Sequence, residues 1–147
     1  MKYRKLGKNG PEISVIGFGS WAIGGGGWAS AWGDQDDQLS MESVRAALDS
    51  GVTFYDTAAV YGLGHSEEVI GQALKGDREK VILATKCGLV WDENKQVSEM
   101  EPSIPSFVRL KLPYAVSEQI ILICTRCIGQ IRTRMLQQKK PCGQWIN

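Results

Sequence analysis

Three residues of the sequence have types and spacing that could act together on a carbonyl group. Asp56 closes the run Val52-Thr53-Phe54-Tyr55, Tyr61 stands five positions later, and Lys86 closes Val81-Ile82-Leu83-Ala84-Thr85. A phenol is a poor acid near neutrality, and an adjacent ammonium favours its anion. Lys86 could supply that charge, and Asp56 could pair with Lys86 to hold it in place. Tyr61 would then give a proton to a carbonyl oxygen as hydride reaches the carbon, which is general acid catalysis. By type and spacing alone, a surface ion pair and a tyrosine covering the core explain the same residues more simply.

Such a constellation needs elements that bring strand ends to one side. Residues 3–6 and 12–15 flank Gly7-Lys8-Asn9-Gly10-Pro11, where Asn-Gly tolerates positive φ, so a small hairpin is expected first. The run 14–19 reads as a buried strand ending near Gly19. Residues 20–37 have no clean period, are rich in glycine and carry Trp21, Trp28 and Trp32, as a loop over a site would. Ser40 is expected to cap a helix with Met41, Val44, Ala47 and Leu48 on one face, and Gly51 to stop it. The cycle then repeats: a strand to Asp56, a helix capped by Ser66 with Val69, Ile70, Ala73 and Leu74 inward, a stop at Gly76, and a strand to Lys86. Strands alternating with helices imply an α/β fold with parallel strands, as an open doubly wound sheet or a closed (β/α) barrel. Both gather reactive groups at the C-terminal strand ends. Gly17-Phe18-Gly19-Ser20-Trp21-Ala22 also satisfies a dinucleotide fingerprint, but the glycines at 24–27 leave no room for the helix which that pattern requires. His65, the sole histidine, is expected in a surface loop before the second helix.

The strings GFGSW, DTAAVYGLGHSEEVIGQAL and VILATK resemble the opening of the aldo-keto reductase family, over roughly residues 1–97 and in the right order. The details are similar to a bacterial branch described as general stress proteins. The resemblance implies the N-terminal portion of a (β/α)8 TIM barrel preceded by a β-hairpin, and NADPH-dependent reduction of small aldehydes and ketones. It implies Tyr61 as proton donor, Lys86 as the residue that tunes it and Asp56 as the residue that orients Lys86. Ser20, Trp21 and Asp56 fall where the family contacts the nicotinamide ribose, and Trp21 with Trp91 would line the substrate mouth. The family's catalytic histidine, in a His-Trp-Pro sequence after the fourth strand, has no counterpart as the chain is written.

Composition breaks where the resemblance stops. Residues 1–98 hold 15 of 17 Gly and carry 10 Lys plus Arg against 13 Asp plus Glu, net −3; residues 99–147 hold 7 against 3, net +4. Two segments are expected: 1–98 as a partial barrel of a hairpin and three βα units, and 99–147 as a tail unlike the family. The codon table offers a reason. Reading residues 116–132 from each third base permits IGTDYIDLYPLHWPDP, in which the third base of Cys127 and the first two of Ile128 make histidine. From Ser98 the same frame permits RNGTIDPELRPAEASLRR, similar to the helix the family places there. A frameshift near Ser98, equivalent to losing one base, is therefore expected.

On that view Cys124, Cys127 and Cys142 are not a zinc set, lacking a companion histidine, and no metal is expected. Arg132, Arg134, Lys139 and Lys140 are likewise not a nucleic-acid or membrane surface. The net charge of +1 gives no strong field over the chain. No apolar run near the start reads as a secretory signal, and the cysteines suit a reducing compartment, so a cytoplasmic protein is expected. The chain as written is expected to have little reductase activity. The competing expectation is a non-enzymatic fragment that binds a partner or nucleotide through the exposed barrel edge.

Overall fold

In the computed structural model of the chain the described residues are 1–99, 120–124 and 136–137. The opening hairpin forms as expected, with β1 (Tyr3–Lys5) antiparallel to β2 (Glu12–Ser14) and Tyr3 opposite Ser14. Its far end is tied to the chain ahead of the sheet. Ser14 N–H donates to the Thr53 hydroxyl and Thr53 N–H to the Ser14 hydroxyl, both at 2.9 Å.

Three short strands follow with helices between them: β3 (Gly17–Gly19), α1 (Asp37–Asp49), β4 (Phe54–Asp56), α2 (His65–Ala73) and β5 (Ile82–Cys87). A second hairpin, β6 (Leu89–Trp91) with β7 (Val97–Glu99), leaves the end of β5. β8 (Ile120–Cys124) then pairs in parallel with β5, and β9 (Leu136–Gln137) pairs antiparallel with β8. The sheet order is β3-β4-β5-β8-β9, so its parallel strands lie in sequence order. Sequential order is what a barrel requires, whereas a doubly wound sheet reverses at a switch point. The turn after β3 confirms the choice: it is a three-residue 3-10 turn at Ala22–Gly24, with no helix to receive a pyrophosphate.

The core lies between the sheet and the helices. Val44 of α1, Tyr55 of β4, Val69, Ile70 and Ala73 of α2, with Leu74 and Val81, are almost wholly buried. Each large side chain among them contributes about 1.5–3 kcal/mol by leaving water. The stripes read from sequence on α1 and α2 are the faces that pack here. Gly51 and Gly76 end the helical segments at φ +85° and +88°, where only glycine is unstrained.

Four expectations are corrected. Asp36, not Ser40, caps α1, its carboxylate accepting from Leu39 N–H at 3.0 Å, so the helix starts a turn earlier and Ser40 is buried within it. Ser66 does not cap α2, which begins at His65 after a left-handed Gly64; its hydroxyl turns inward instead. His65 is therefore helical, and its Nε2 lies 2.8 Å from Asp37 Oδ1, joining the starts of the two helices. β8 adds a fourth parallel strand to the three expected, formed by the apolar run Ile120-Ile121-Leu122-Ile123 on the open edge of β5. Cys127, Cys142, the Arg132 to Lys140 cations and Ser98's onward helix reading beyond residue 99 lie outside the described residues.

Candidate active site

The parallel register places the chemistry. Gly19 pairs with Asp56 and Asp56 with Ala84, so Lys86 lies two residues past its neighbour and reaches back across the sheet end. Its ammonium donates to Asp56 Oδ1 at 2.7 Å, Asp56 Oδ2 at 2.8 Å and the Thr57 carbonyl at 3.1 Å. Three acceptors for three N–H bonds fix the head of a side chain that is otherwise flexible. The Lys86 side chain is 19% exposed and that of Asp56 is 36% exposed, so the carboxylate keeps a face open to another donor.

Tyr61 joins this pair. It begins a 3-10 turn (Tyr61–Gly64) just beyond β4, is buried, and its ring centroid lies 4.9 Å from Lys86 Nζ. The turn is held by a close approach of two glycines. A Cβ on Gly24 would come within 2.6 Å of Gly62 N, and one on Gly62 would overlap the Gly24 carbonyl oxygen. Gly62 has φ +62°, Leu63 φ +57° and Gly64 φ +106°, a left-handed run that turns the chain sharply behind Tyr61.

Tryptophans of the loop after β3 complete the wall. Trp21 lies 5.0 Å and Trp28 6.4 Å from the Tyr61 ring, centroid to centroid, and Trp32 stacks on Trp21 at 6.2 Å. The two inner indoles also fasten the loop, Trp21 Nε1 donating to the Ser30 carbonyl and Trp28 Nε1 to that of Gly25. A cavity of about 310 Å³ opens among Trp21, Trp28, Val60, Tyr61, Lys86 and Leu89, with Val97 on the facing strand. The expected trio Asp56, Tyr61 and Lys86 is thus assembled with Trp21 beside it. Trp91 is on β6, beyond the cavity lining, and 38% exposed. The sequence marks Trp28 as part of a loop over the site, whereas Leu89 and Val97 carry no signal of their place in the wall.

Ser20 is wholly buried behind the strand ends. Its N–H and its hydroxyl both donate to the Asp56 carbonyl, at 3.0 and 2.9 Å. Ser66 Oγ is 2.9 Å from Ser20 Oγ and 3.0 Å from the Ser20 carbonyl, with Thr57 Oγ1 at 3.2 Å. On the next residue of α2, Glu67 Oε1 accepts from the buried Thr85 hydroxyl at 2.6 Å. Burial pushes the Glu67 carboxyl above the ordinary carboxylate range, and the Thr85 bond acts in the opposite direction.

Known proteins resemble this chain in sequence and fold. The Aldo/keto reductase family profile matches residues 15–109. Aldo-keto reductase YhdN of Bacillus subtilis is 50% identical over 97 residues, which is 65% of this chain and 28% of that protein. The NADH-specific methylglyoxal reductase of Escherichia coli is 45% identical over 94 residues, 63% of this chain and 28% of that one. Among solved structures, the glycerol dehydrogenase of Gluconobacter oxydans superposes with TM-score 0.54 at 40% identity, over 73% of this chain and 32% of that chain. The holo aldo-keto reductase of Bacillus halodurans gives 0.56 at 32%, over 65% and 29%. The fold is part of a (β/α)8 barrel, and the chain belongs to the aldo/keto reductase family. It spans less than a third of the length of the curated relatives it matches. Among the described residues no helix is long and apolar enough to cross a membrane.

Proposed function

We propose that this chain carries the proton-donating half of a cytoplasmic reductase of aldehydes and ketones. The observation that supports it most is Lys86, held on three acceptors with its charge 4.9 Å from the Tyr61 ring. In this reading Tyr61 gives its proton to the substrate oxygen, and Lys86 favours the negative charge left on the phenol oxygen. Asp56 acts through Lys86 by fixing its position. The apolar cavity walls of Trp21, Trp28, Leu89 and Val97 exclude water around the carbonyl. NADPH supplies the hydride when bound. The residues fit its ribose and nicotinamide end: the open face of the Asp56 carboxylate would accept hydrogen bonds from ribose hydroxyls, and Trp21 would offer an indole surface. Ser20, expected at the same place, would act from behind by holding the Asp56 carbonyl. The E. coli relative is NADH-specific, so binding of the two nucleotides is to be compared side by side.

We further propose that the family's sequence resumes in another reading frame after Ser98, and that the 147-residue chain lacks the histidine that completes the site. Purified protein should consume negligible NADPH with an aldehyde. Turnover that Tyr61→Phe abolishes would overturn that expectation while supporting the role of Tyr61. DNA sequence across codons 95–100 decides the frame. A non-enzymatic role through the open edge of β3 would instead be marked by partner or nucleotide binding that Lys86→Met and Tyr61→Phe leave unchanged.

A further inference from the structure

Each strand that brings a residue to the site has a hydrogen-bonded anchor on the first turn of α2. Ser66 touches the residues that follow β3 and β4, namely Ser20 and Thr57. Glu67 touches Thr85 of β5, one position before Lys86. The hydroxyl chain has a direction. Ser20 spends its hydrogen on the Asp56 carbonyl, so Ser66 donates to Ser20, and Thr57 must donate to Ser66. It therefore runs Thr57 to Ser66 to Ser20 to Asp56, joining the two residues whose oxygens hold Lys86. Ser20, Ser66, Thr57 and Thr85 are all wholly buried, so water cannot replace a lost partner there.

We infer that Ser66 and Glu67 are positioning residues for Lys86: adjacent side chains on one helical turn that set the relative heights of the three strand ends at the site. The inference rests on the reductase reading for its purpose, but not for its test. Thr85 and Lys86 point to opposite faces of β5, so Glu67 grips the strand from the helix side while the ammonium works on the other. A shift of α2 would move Thr57 and Lys86 together. Neither residue touches substrate space, since neither lines the cavity.

The experiment follows the Lys86 ammonium itself, in the full chain without cofactor. With lysine labelled at Nζ, its resonance is assigned by its loss in Lys86→Met, and the exchange rate of its protons with water is measured by NMR. Ser66→Ala, Glu67→Ala and Thr85→Val should each speed exchange roughly three- to tenfold, the weight of one hydrogen bond. Glu67→Gln keeps the Oε1 acceptor and should restore the parent rate. Glu67→Ala combined with Thr85→Val should be no faster than either alone, because both cut one bond. Exchange unchanged in folded Thr85→Val and Ser66→Ala proteins would overturn the inference. Should Glu67→Ala fail to fold, Thr85→Val and Glu67→Gln decide the matter, both being close to the parent side chains in size. Failure of the reductase reading would show instead in nucleotide and carbonyl assays, with these rates unaffected.

Discussion

Replacing Gly24 by alanine tests how the site loops are locked. Gly24 has no left-handed φ, so the substitution carries no backbone strain, and its whole cost comes from contact. The added methyl would sit 2.6 Å from Gly62 N and 2.8 Å from the Tyr61 carbonyl carbon. Ordinary contacts of this kind lie at about 3.5–4.0 Å, so the loops after β3 and β4 must part by about 1 Å. Overpacking of that kind costs about 1–3 kcal/mol, and the stiffer unfolded chain offsets about 0.4–1 kcal/mol of it. Gly24→Ala should therefore destabilise by roughly 1–2 kcal/mol. Gly62→Ala adds a left-handed alanine, worth about 1–2 kcal/mol more. Gly19→Ala is the control, because nothing lies within 4 Å of its Cβ position and its φ is not left-handed. It should stay within about 0.5 kcal/mol of the parent. Urea unfolding followed by circular dichroism gives the stabilities, and indole fluorescence reports whether Trp21 and Trp28 leave Tyr61. The double variant should cost less than the sum, since one displacement relieves both contacts. Gly24→Ala as stable as Gly19→Ala, or strict additivity with Gly62→Ala, would refute the close approach.

Two further outcomes concern pH. Glu67 has its carboxyl raised by burial, so its contribution is fully present below the unfolded carboxylate value, about 4.3, and is lost as pH rises through the folded value. Glu67→Gln should therefore gain stability over the parent at neutral pH and lose that advantage in acid; urea midpoints that run parallel across pH would contradict this. Burial, with Asp49 nearby, pushes the Tyr55 phenol up to about 12. The folded state should then lose about 2–3 kcal/mol as pH climbs from about 10 to 12. Tyr55→Phe should lack that slope, although it also gives up the hydroxyl bond to the Val44 carbonyl.

Much of this was legible because backbone demands and side-chain chemistry agree locally. The glycine-containing linker between extended residues marks the hairpin, although Gly7, at φ +69°, takes the left-handed conformation rather than Asn9 or Gly10; glycines 51 and 76 mark where the helical segments stop. Asp56 and Lys86 were readable because each closes an apolar strand, and parallel register then brings strand ends together. The caps were harder. Asp36 and Ser40 are both good capping types, and only the path of the loop selects between them. Ser66 looks the same in sequence whether it caps its own helix or bonds to neighbouring strands. Trp28 lies next to the left-handed Gly27 (φ +78°) in an irregular loop, and Trp91 ends a strand; that the first lines the cavity and the second does not is set by tertiary placement, not by local sequence. Glu67 reads as a solvated helix charge until Thr85 is placed against it.

We propose that Tyr61, held with Lys86 and Asp56, is the proton donor of a carbonyl reductase whose barrel resumes in another frame. The most direct measurement inserts one base near codon 98 of the gene and follows NADPH consumption by the resulting longer polypeptide with an aldehyde. Turnover is expected, and Tyr61→Phe should remove it while nucleotide binding persists. An in-frame product without turnover, or one whose turnover survives Tyr61→Phe, would contradict it.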